Sequence, residues 1–598
     1  MSDYKAPLAD MQFVLRELAG LDDYAQWPGC EDVSADLVDA ILDEAGKFAG
    51  EVLAPLNAVG DREGAKFAGD AVTTAPGWRA AYTQFREAGW TGLACSPDYG
   101  GQGLPMLLYT VVSEIWKSAN MAFALCPMLT NGAINALMAR GSDALKDRYL
   151  PKMVSGEWTG TMNLTEPQAG SDLAAVRTRA EPQADGSYRI TGQKIFITYG
   201  EHDLTDNIIH LVLARLPNAP EGVKGISLFA VPKFLVNDDG TPGARNDLRC
   251  VSLEHKLGIH ASPTCVMAYG DNGGATGYLI GEANRGLEIM FIMMNEARFA
   301  VGLEGLALAE RATQHAVAYA RDRVQGFDVA EKNGARVPII RHPDVRRMLM
   351  LMRCQTEAMR ALACVVAAAH DRAHHHADAA ERERSQAFVD LMIPVVKGWC
   401  TETGIDVASL GVQVHGGMGY IEETGAAQYL RDARITTIYE GTTAIQANDL
   451  IGRKIARDGG AAARAVIADI GNVVAELLAS DDAHCRAIAP LLASGADAME
   501  RGTAFICAQW AQDIRVAHAA AFPLLRLFGI VCGGWQMARA ALAAQRLLKA
   551  GEGDAGFLNA KLVTARAYAD QLLSQAPALG HAATSGAASS LQLPEESF

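Results

Sequence analysis

No two of the eleven cysteines in this 598-residue chain form a CxxC pair, and their spacing gives no even framework. That excludes a disulfide scaffold or a cysteine-rich zinc site, and the cysteines read as reduced, mostly buried thiols of a cytosolic protein. Positive charge is also scarce: 53 Lys and Arg stand against 69 Asp and Glu, a formal net charge of −16. This balance disfavours nucleic acid or an anionic membrane as the main partner, while leaving room for a locally basic pocket. The chain opens MSDYKAPLADMQF, with no basic leader and apolar stretch of the kind that marks a signal or transit peptide. The most membrane-like stretch, Ala519 to Val531, is short and interrupted by Pro523 and Arg526. It falls below the length of a bilayer span and reads as a core helix. What remains, 49% hydrophobic and 20% charged residues, is a globular chain long enough for several domains.

Hydrophobic periodicity divides the chain into four parts. Residues 1–157 look helical, with apolar residues at helical spacing in Val33 to Leu56 and again in Leu107 to Met138. Residues 158–284 change to short β-like runs such as YRITGQKIFITYG, IIHLVLARL and GISLFAVPKF. Residues 285–455 return to long helices, and 456–598 add further helical stripes, including Val466, Ile470, Val473, Val474, Leu477 and Leu478. From Ser574 the composition becomes small and polar enough for partial disorder.

One short run carries chemistry by itself. Tyr439-Glu440-Gly441-Thr442-Thr443 places a carboxylate on a Gly-Thr turn between apolar stretches, where burial can raise its proton affinity and make it a general base. A solvated turn residue is the plain alternative. His370 and His374, at i, i+4 spacing beside His375 and His376, have metal-ligand spacing but sit in the charged run DRAHHHADAAERERS, which favours an exposed helix face. The glycines of Asp98 to Pro105 follow no strand and read as a turn rather than a phosphate loop.

Seven segments in order resemble the acyl-CoA dehydrogenase family: CSPDYGGQG, YLPKMVSGEWTGTMNLTEPQAGSD, ITGQKIFIT, KLGIHASPT, MNEARFAVG, QVHGGMGY and RDARITTIYEGTT. They cover roughly residues 35 to 455, and the remaining chain is similar to the C-terminal extension of the larger bacterial members. The resemblance implies a mainly α fold with a β-barrel insert: a helical N-domain, β middle domain, helical bundle and extra helical C-terminal domain. It implies FAD-dependent α,β-dehydrogenation of an acyl-CoA thioester to the trans-2-enoyl-CoA, with a Glu removing the α-proton. The substrate class would be a fatty acyl-CoA or 3-methylthiopropanoyl-CoA, and the electron acceptor an electron-transfer flavoprotein. A cytoplasmic homodimer without a transmembrane segment, metal or nucleic acid follows from the same resemblance and composition.

Carried over by position, the base is Glu440; the alternative base position of some relatives is Ala297, with Glu296 one residue off and turned about 100° around the helix. The FAD contacts implied are Met162, Leu164, Thr165, Gly170, Ser171, Phe196, Thr198, Arg323, Gln413, Gly416, Gly417 and Thr442. Phe196 stands where many relatives have Trp, keeping an apolar wall without the indole donor. Around Arg323 the match departs from the pattern: Gln325 is followed directly by Gly326, and Pro343 lies near a family Gln position. Substrate contacts implied are Ser171, Asn295, Arg298, Tyr439 and Gly441, with Arg298 alternatively a structural charge facing Glu296 or Glu304. Two rival functions share the fold: an acyl-CoA oxidase, and a DNA-associated alkylation-response flavoprotein, which would need a basic block that residues 456–598 lack.

Overall fold

Alternating β-branched and aromatic residues after Trp158 build an eight-stranded sheet in the computed structural model, which describes residues 4–331 and 334–598. Its strands are β1 (Trp158–Asn163), β2 (Arg179–Pro182), β3 (Tyr188–Thr198), β4 (Asn207–Arg215), β5 (Ile226–Pro232), β6 (Leu248–Leu253), β7 (Thr264–Tyr269) and β8 (Ala275–Ile280). β3 pairs with β8, β8 with β5, β5 with β4, β4 with β2 and β2 with β3, closing a five-strand ring. Ile190, Val212, Ala214, Phe229 and Val231 fill it without exposure. Closure removes the unpaired edges that an open sheet would present.

This barrel belongs to one of two compact units, Lys47–Pro105 with Ala119–Ala300; the other comprises Met1–Gly46, Met106–Ser118 and Val301–Phe598. The chain changes unit inside two long helices, α1 (Met106–Arg140) and α2 (Gly286–Asp322). In α1 the change falls beside Asn120, whose φ of −159° and ψ of 91° break the helix.

The second unit is helical: α3 (Pro343–His375), α4 (Ala379–His415), α5 (Thr443–Asp449), α6 (Ala461–Ala479), α7 (Ala483–Gln512), α8 (Ile514–Ala550) and α9 (Ala555–Gln571). The apolar stretch Ala519 to Val531 is not short in this context: it lies within the 37-residue α8, and Pro523 is accommodated inside it. By length and composition α8 and α1 could each cross a membrane, but their most apolar windows are mostly buried inside the protein. α8 packs close because it carries glycine where it meets α4: a Cβ at Gly529 would lie 2.1 Å from Trp399. The segment after Ser574 is ordered, contrary to its composition. It forms the helix Ala576–Ala582 and a turn at Ala587–Leu591, burying Ala576, Ala583 and Ala587. Small side chains that supply little driving force alone fit closely here, with Gly580 against Ala498. All eleven cysteines are free thiols and ten are buried.

A buried charge cluster ties the helical unit together. Arg360 on α3, 1% exposed, donates to Glu114 at 2.6 Å, Glu310 at 2.6 Å and Asp10 at 2.5 Å. Lys561 on α9 pairs with the same Asp10 and with Glu357 at 2.8 Å, and Arg353 reaches Glu357 at 2.7 Å. Burial pushes the Glu114 carboxyl up to about 7 against the pull of Arg360. With Glu114 protonated, three carboxylates face three cations.

Candidate active site

In the barrel unit the segment Met162 to Ser171 leaves β1 and turns around one carboxylate. Glu166, 3% exposed, takes an ion pair from Lys194 at 2.9 Å. It also accepts from the Thr178 hydroxyl at 2.5 Å and from the Arg177 and Thr178 amides. The Lys194 ammonium donates as well to the Leu164 carbonyl at 3.0 Å, and the Ile195 amide to the Thr165 carbonyl. The loop is thus pinned from beneath. Met162 is buried, Leu164 and Thr165 are half-buried, and Gly170 and Ser171 are exposed, with nothing near a Cβ built on Gly170.

Burial alone would raise the Glu166 carboxyl, but Lys194, the Thr178 hydroxyl and the Arg177 amide outweigh it and hold it at about 2. A carboxyl depressed on folding stabilises above its ordinary value of 4.5, and that stability is lost as pH falls toward 2. Glu166→Gln is therefore expected to flatten the acid limb of the unfolding midpoint between those values, by roughly 3 kcal/mol. Urea unfolding against pH measures it; an unchanged acid limb would refute the assignment.

Phe196 occupies a strained place one step along. The pairing of β3 with β7 runs Lys194 to Met267 and Ile197 to Cys265, so β3 carries one extra residue, a bulge. Phe196 sits in it at φ +60°, a left-handed conformation uncommon for a bulky residue, and remains 58% exposed. Ile197 is buried between Phe196 and the half-buried Thr198, so both flanking side chains stand away from the core. Thr198 also uses its carbonyl to accept from Thr161 at 2.7 Å. An exposed aromatic wall beside an open glycine loop suits a flat, phosphate-linked group such as FAD.

In the helical unit Glu440 is likewise left-handed, at φ +54°, followed by Gly441 at φ +88°. The fully buried Lys397, on α4, donates to the Gly441 carbonyl at 2.7 Å, and Gln446 donates to it at 3.2 Å. A Cβ on Gly441 would lie 2.7 Å from the Gln446 amide nitrogen, so a side chain there would have to displace Gln446 from a turn whose φ already disfavours one. Thr442 caps α5 through the Ile445 amide, and Thr443 donates to Glu402 at 2.6 Å. Tyr439 turns its hydroxyl inward onto Glu304 of α2, and Glu304 is fully buried.

Gln413, Gly416 and Gly417 lie exposed at the end of α4, with open space at both glycines. Arg323, just after α2, is exposed and reaches Gln325 at 3.4 Å. Asn295 and Arg298 lie on the part of α2 in the barrel unit, where Arg298 donates to Asn295 at 3.4 Å and stacks over Phe291. Glu296 accepts from Asn135 at 2.6 Å. The named residues therefore divide between the two units: Met162 to Ser171, Phe196, Thr198, Asn295 and Arg298 in the barrel unit, and Arg323, Gln413, Gly416, Gly417 and Tyr439 to Thr442 in the helical unit. His374 is exposed and bonds the His370 carbonyl.

Sequence reading passed over Lys194, Glu166 and Lys397, and named Glu304 only as an alternative partner of Arg298, whereas it accepts from Tyr439. For Lys397 and Glu304 the signal was present as lone charges inside the apolar runs MIPVVKGWC and RFAVGLEGLAL. A charge kept in such a run needs a partner.

Comparison with known proteins gives the family. Residues 36–157 match the model of the acyl-CoA dehydrogenase N-terminal domain, 161–271 the middle domain and 284–455 the C-terminal domain. Residues 466–594 match the "acetyl-CoA dehydrogenase C-terminal like" model. The chain is 52% identical over 581 residues to the 3-methylmercaptopropionyl-CoA dehydrogenase of Ruegeria pomeroyi, covering 96% of this chain and 97% of that one. It is 35% identical over 622 residues to a butyryl-CoA dehydrogenase of Syntrophomonas wolfei, covering 100% and 99%. In fold it is similar to the Bacillus anthracis acyl-CoA dehydrogenase complexed with FAD, at 19% identity and TM-score 0.74 over 95% of this chain and 90% of that one.

Proposed function

Because the chain belongs to the acyl-CoA dehydrogenase family, we propose that Glu440 is the base of its reaction and that 3-methylthiopropanoyl-CoA or a short straight-chain acyl-CoA is its substrate. The reaction class is dehydrogenation of an acyl-CoA, not its oxidase counterpart. FAD, when bound, supplies the acceptor for the β-hydrogen as hydride. The chain's own residues do the rest. Glu440 takes the α-proton, and its backbone N–H offers a donor to the thioester oxygen as enolate charge develops. Lys397 and Gln446 support this reading: by gripping the Gly441 carbonyl they hold the turn in a conformation that a free chain would leave.

Phe196, Thr198, Met162, Leu164, Thr165, Gly170 and Ser171 would hold the flavin and pyrophosphate, and Arg323, Gln413, Gly416, Gly417 and Thr442 the adenosine half. Asn295, Arg298, Ser171, Tyr439 and Gly441 would border the substrate. We assign the four sequence divisions 1–157, 158–284, 285–455 and 456–598 as the domains of a cytoplasmic homodimer that passes electrons to an electron-transfer flavoprotein. Exposed Met418, Tyr420 and Ile421, beside Gly416 and Gly417, are suited to lie at the interface between subunits.

The substrate reading rests on chemistry as well as on the relatives' names. Replacing a methylene by sulfur changes an apolar side chain little, and one methylene is worth only about 1–3 kcal/mol of discrimination. Activity is therefore expected on butanoyl-, pentanoyl- and 3-methylthiopropanoyl-CoA alike. A panel of kcat/KM values from butanoyl- to hexadecanoyl-CoA checks it; activity confined to dodecanoyl-CoA and longer would reject the short-chain reading.

A further inference from the structure

The residue before the proposed base is tied to a carboxylate that the reaction scheme does not use. Tyr439 donates its hydroxyl to Oε2 of Glu304, and the other oxygen, Oε1, has no hydrogen-bond partner among the described residues. Glu304 has no solvent exposure and lies in the apolar stretch of α2 that follows Phe299 and Val301. Burial raises its carboxyl above the ordinary range, with Lys117, the Tyr439 hydroxyl and Lys397 opposing. Lys117, itself fully buried, is pushed down to about 8 by burial, with Glu304 opposing. Glu440 and Asp432 are the other charged groups felt at Tyr439. A polar group half satisfied in so dry a place costs stability, and a leucine or methionine there would pack without that cost. Its retention needs a reason beyond packing.

Geometry supplies one. Tyr439 and Gly441 flank Glu440, and each is anchored to a buried charge: Tyr439 through its hydroxyl to Glu304 on α2, Gly441 through its carbonyl to Lys397 on α4. Glu440 itself is held between these anchors in a left-handed conformation that it would otherwise leave. We infer that Glu304, acting through the Tyr439 hydroxyl, is a positioning residue that sets the orientation of the Glu440 carboxylate toward the substrate α-carbon. The inference rests on the reading of Glu440 as base. Because Glu304 touches neither reacting atom, its loss misplaces the base without removing it. A misplacement on the order of 1 Å costs about 10²-fold in rate.

The test uses the FAD-loaded enzyme and anaerobic flavin reduction by butanoyl-CoA. Tyr439→Phe and Glu304→Leu are each expected to slow reduction by about 10- to 10²-fold with KM nearly unchanged. The double variant should be no slower than the worse single, because the two groups act as one unit. Glu304→Gln keeps an acceptor oxygen for the tyrosine and should recover most of the rate. Losses in the singles that multiply in the double, a Glu304→Gln as slow as Glu304→Leu, or normal reduction in Tyr439→Phe would each overturn the inference. Should Glu304→Leu fail to fold, Tyr439→Phe and Glu304→Gln still decide. Glu440→Gln run alongside separates the two levels: normal reduction there overturns the base itself, whereas its loss beside a normal Tyr439→Phe overturns only the positioning role.

Discussion

Glu440→Gln is expected to retain FAD and bind acyl-CoA while slowing substrate bleaching of the flavin by about 10²- to 10⁴-fold, the usual scale for loss of a general base. The substitution is nearly isosteric, so the turn, the Gly441 carbonyl bond to Lys397 and the cap at Thr442 should survive it. What disappears is the ability to accept a proton from a weak carbon acid. The alternative family position offers no substitute base: it holds Ala297, which is buried, and the adjacent Glu296 is engaged by Asn135. Anaerobic stopped-flow bleaching with butanoyl-CoA gives the rate. Near-normal bleaching would remove Glu440 from the reaction and return the turn to the ordinary class of strained connections.

Arg360→Met is expected to produce the largest stability loss of any single change in the helical unit, about 3–5 kcal/mol or more, because breaking a buried ion pair strands the opposite charge. Here one guanidinium answers three carboxyl groups: Glu114 at Nε and Nη2, Asp10 at Nη1 and Glu310 also at Nη2. Lys in its place cannot reproduce that fork, so Arg360→Lys should recover only part of the loss. Adding Glu114→Gln to Arg360→Met should recover more, since it removes the carboxyl that burial already holds near 7. Urea midpoints of the four proteins give the ranking. A loss below about 1 kcal/mol in Arg360→Met would mean that water or rearrangement satisfies the cluster without it.

Much of this was legible in the sequence because it is written in local chemistry. The β-like runs between Trp158 and Ile280 alternate as strands do, and α3, α4, α6 and α7 follow helical stripes. The turn at Glu440 was visible because Gly441 and two threonines mark it. The bulge at Phe196 was not, since ITGQKIFIT alternates without a glycine at the extra residue and only the pairing with β7 reveals it. The order after Ser574 was hidden for the opposite reason: alanine and glycine look featureless until a close neighbour such as Ala498 gives them something to fit. Pairs such as Lys194 with Glu166, or Tyr439 with Glu304, join residues 28 and 135 positions apart. No local pattern announces partners at such separations.

The left-handed backbone at Phe196, Tyr199, Ile259 and Glu440 carries a consequence for engineering. Glycine would relax the backbone at each by about 1–2 kcal/mol, but Tyr199 and Ile259 are buried and would lose more in packing than the backbone gains. Phe196, exposed, and Glu440, half-buried, would gain on balance, and both are proposed site residues. Thermostabilising this fold by glycine substitution therefore trades against turnover.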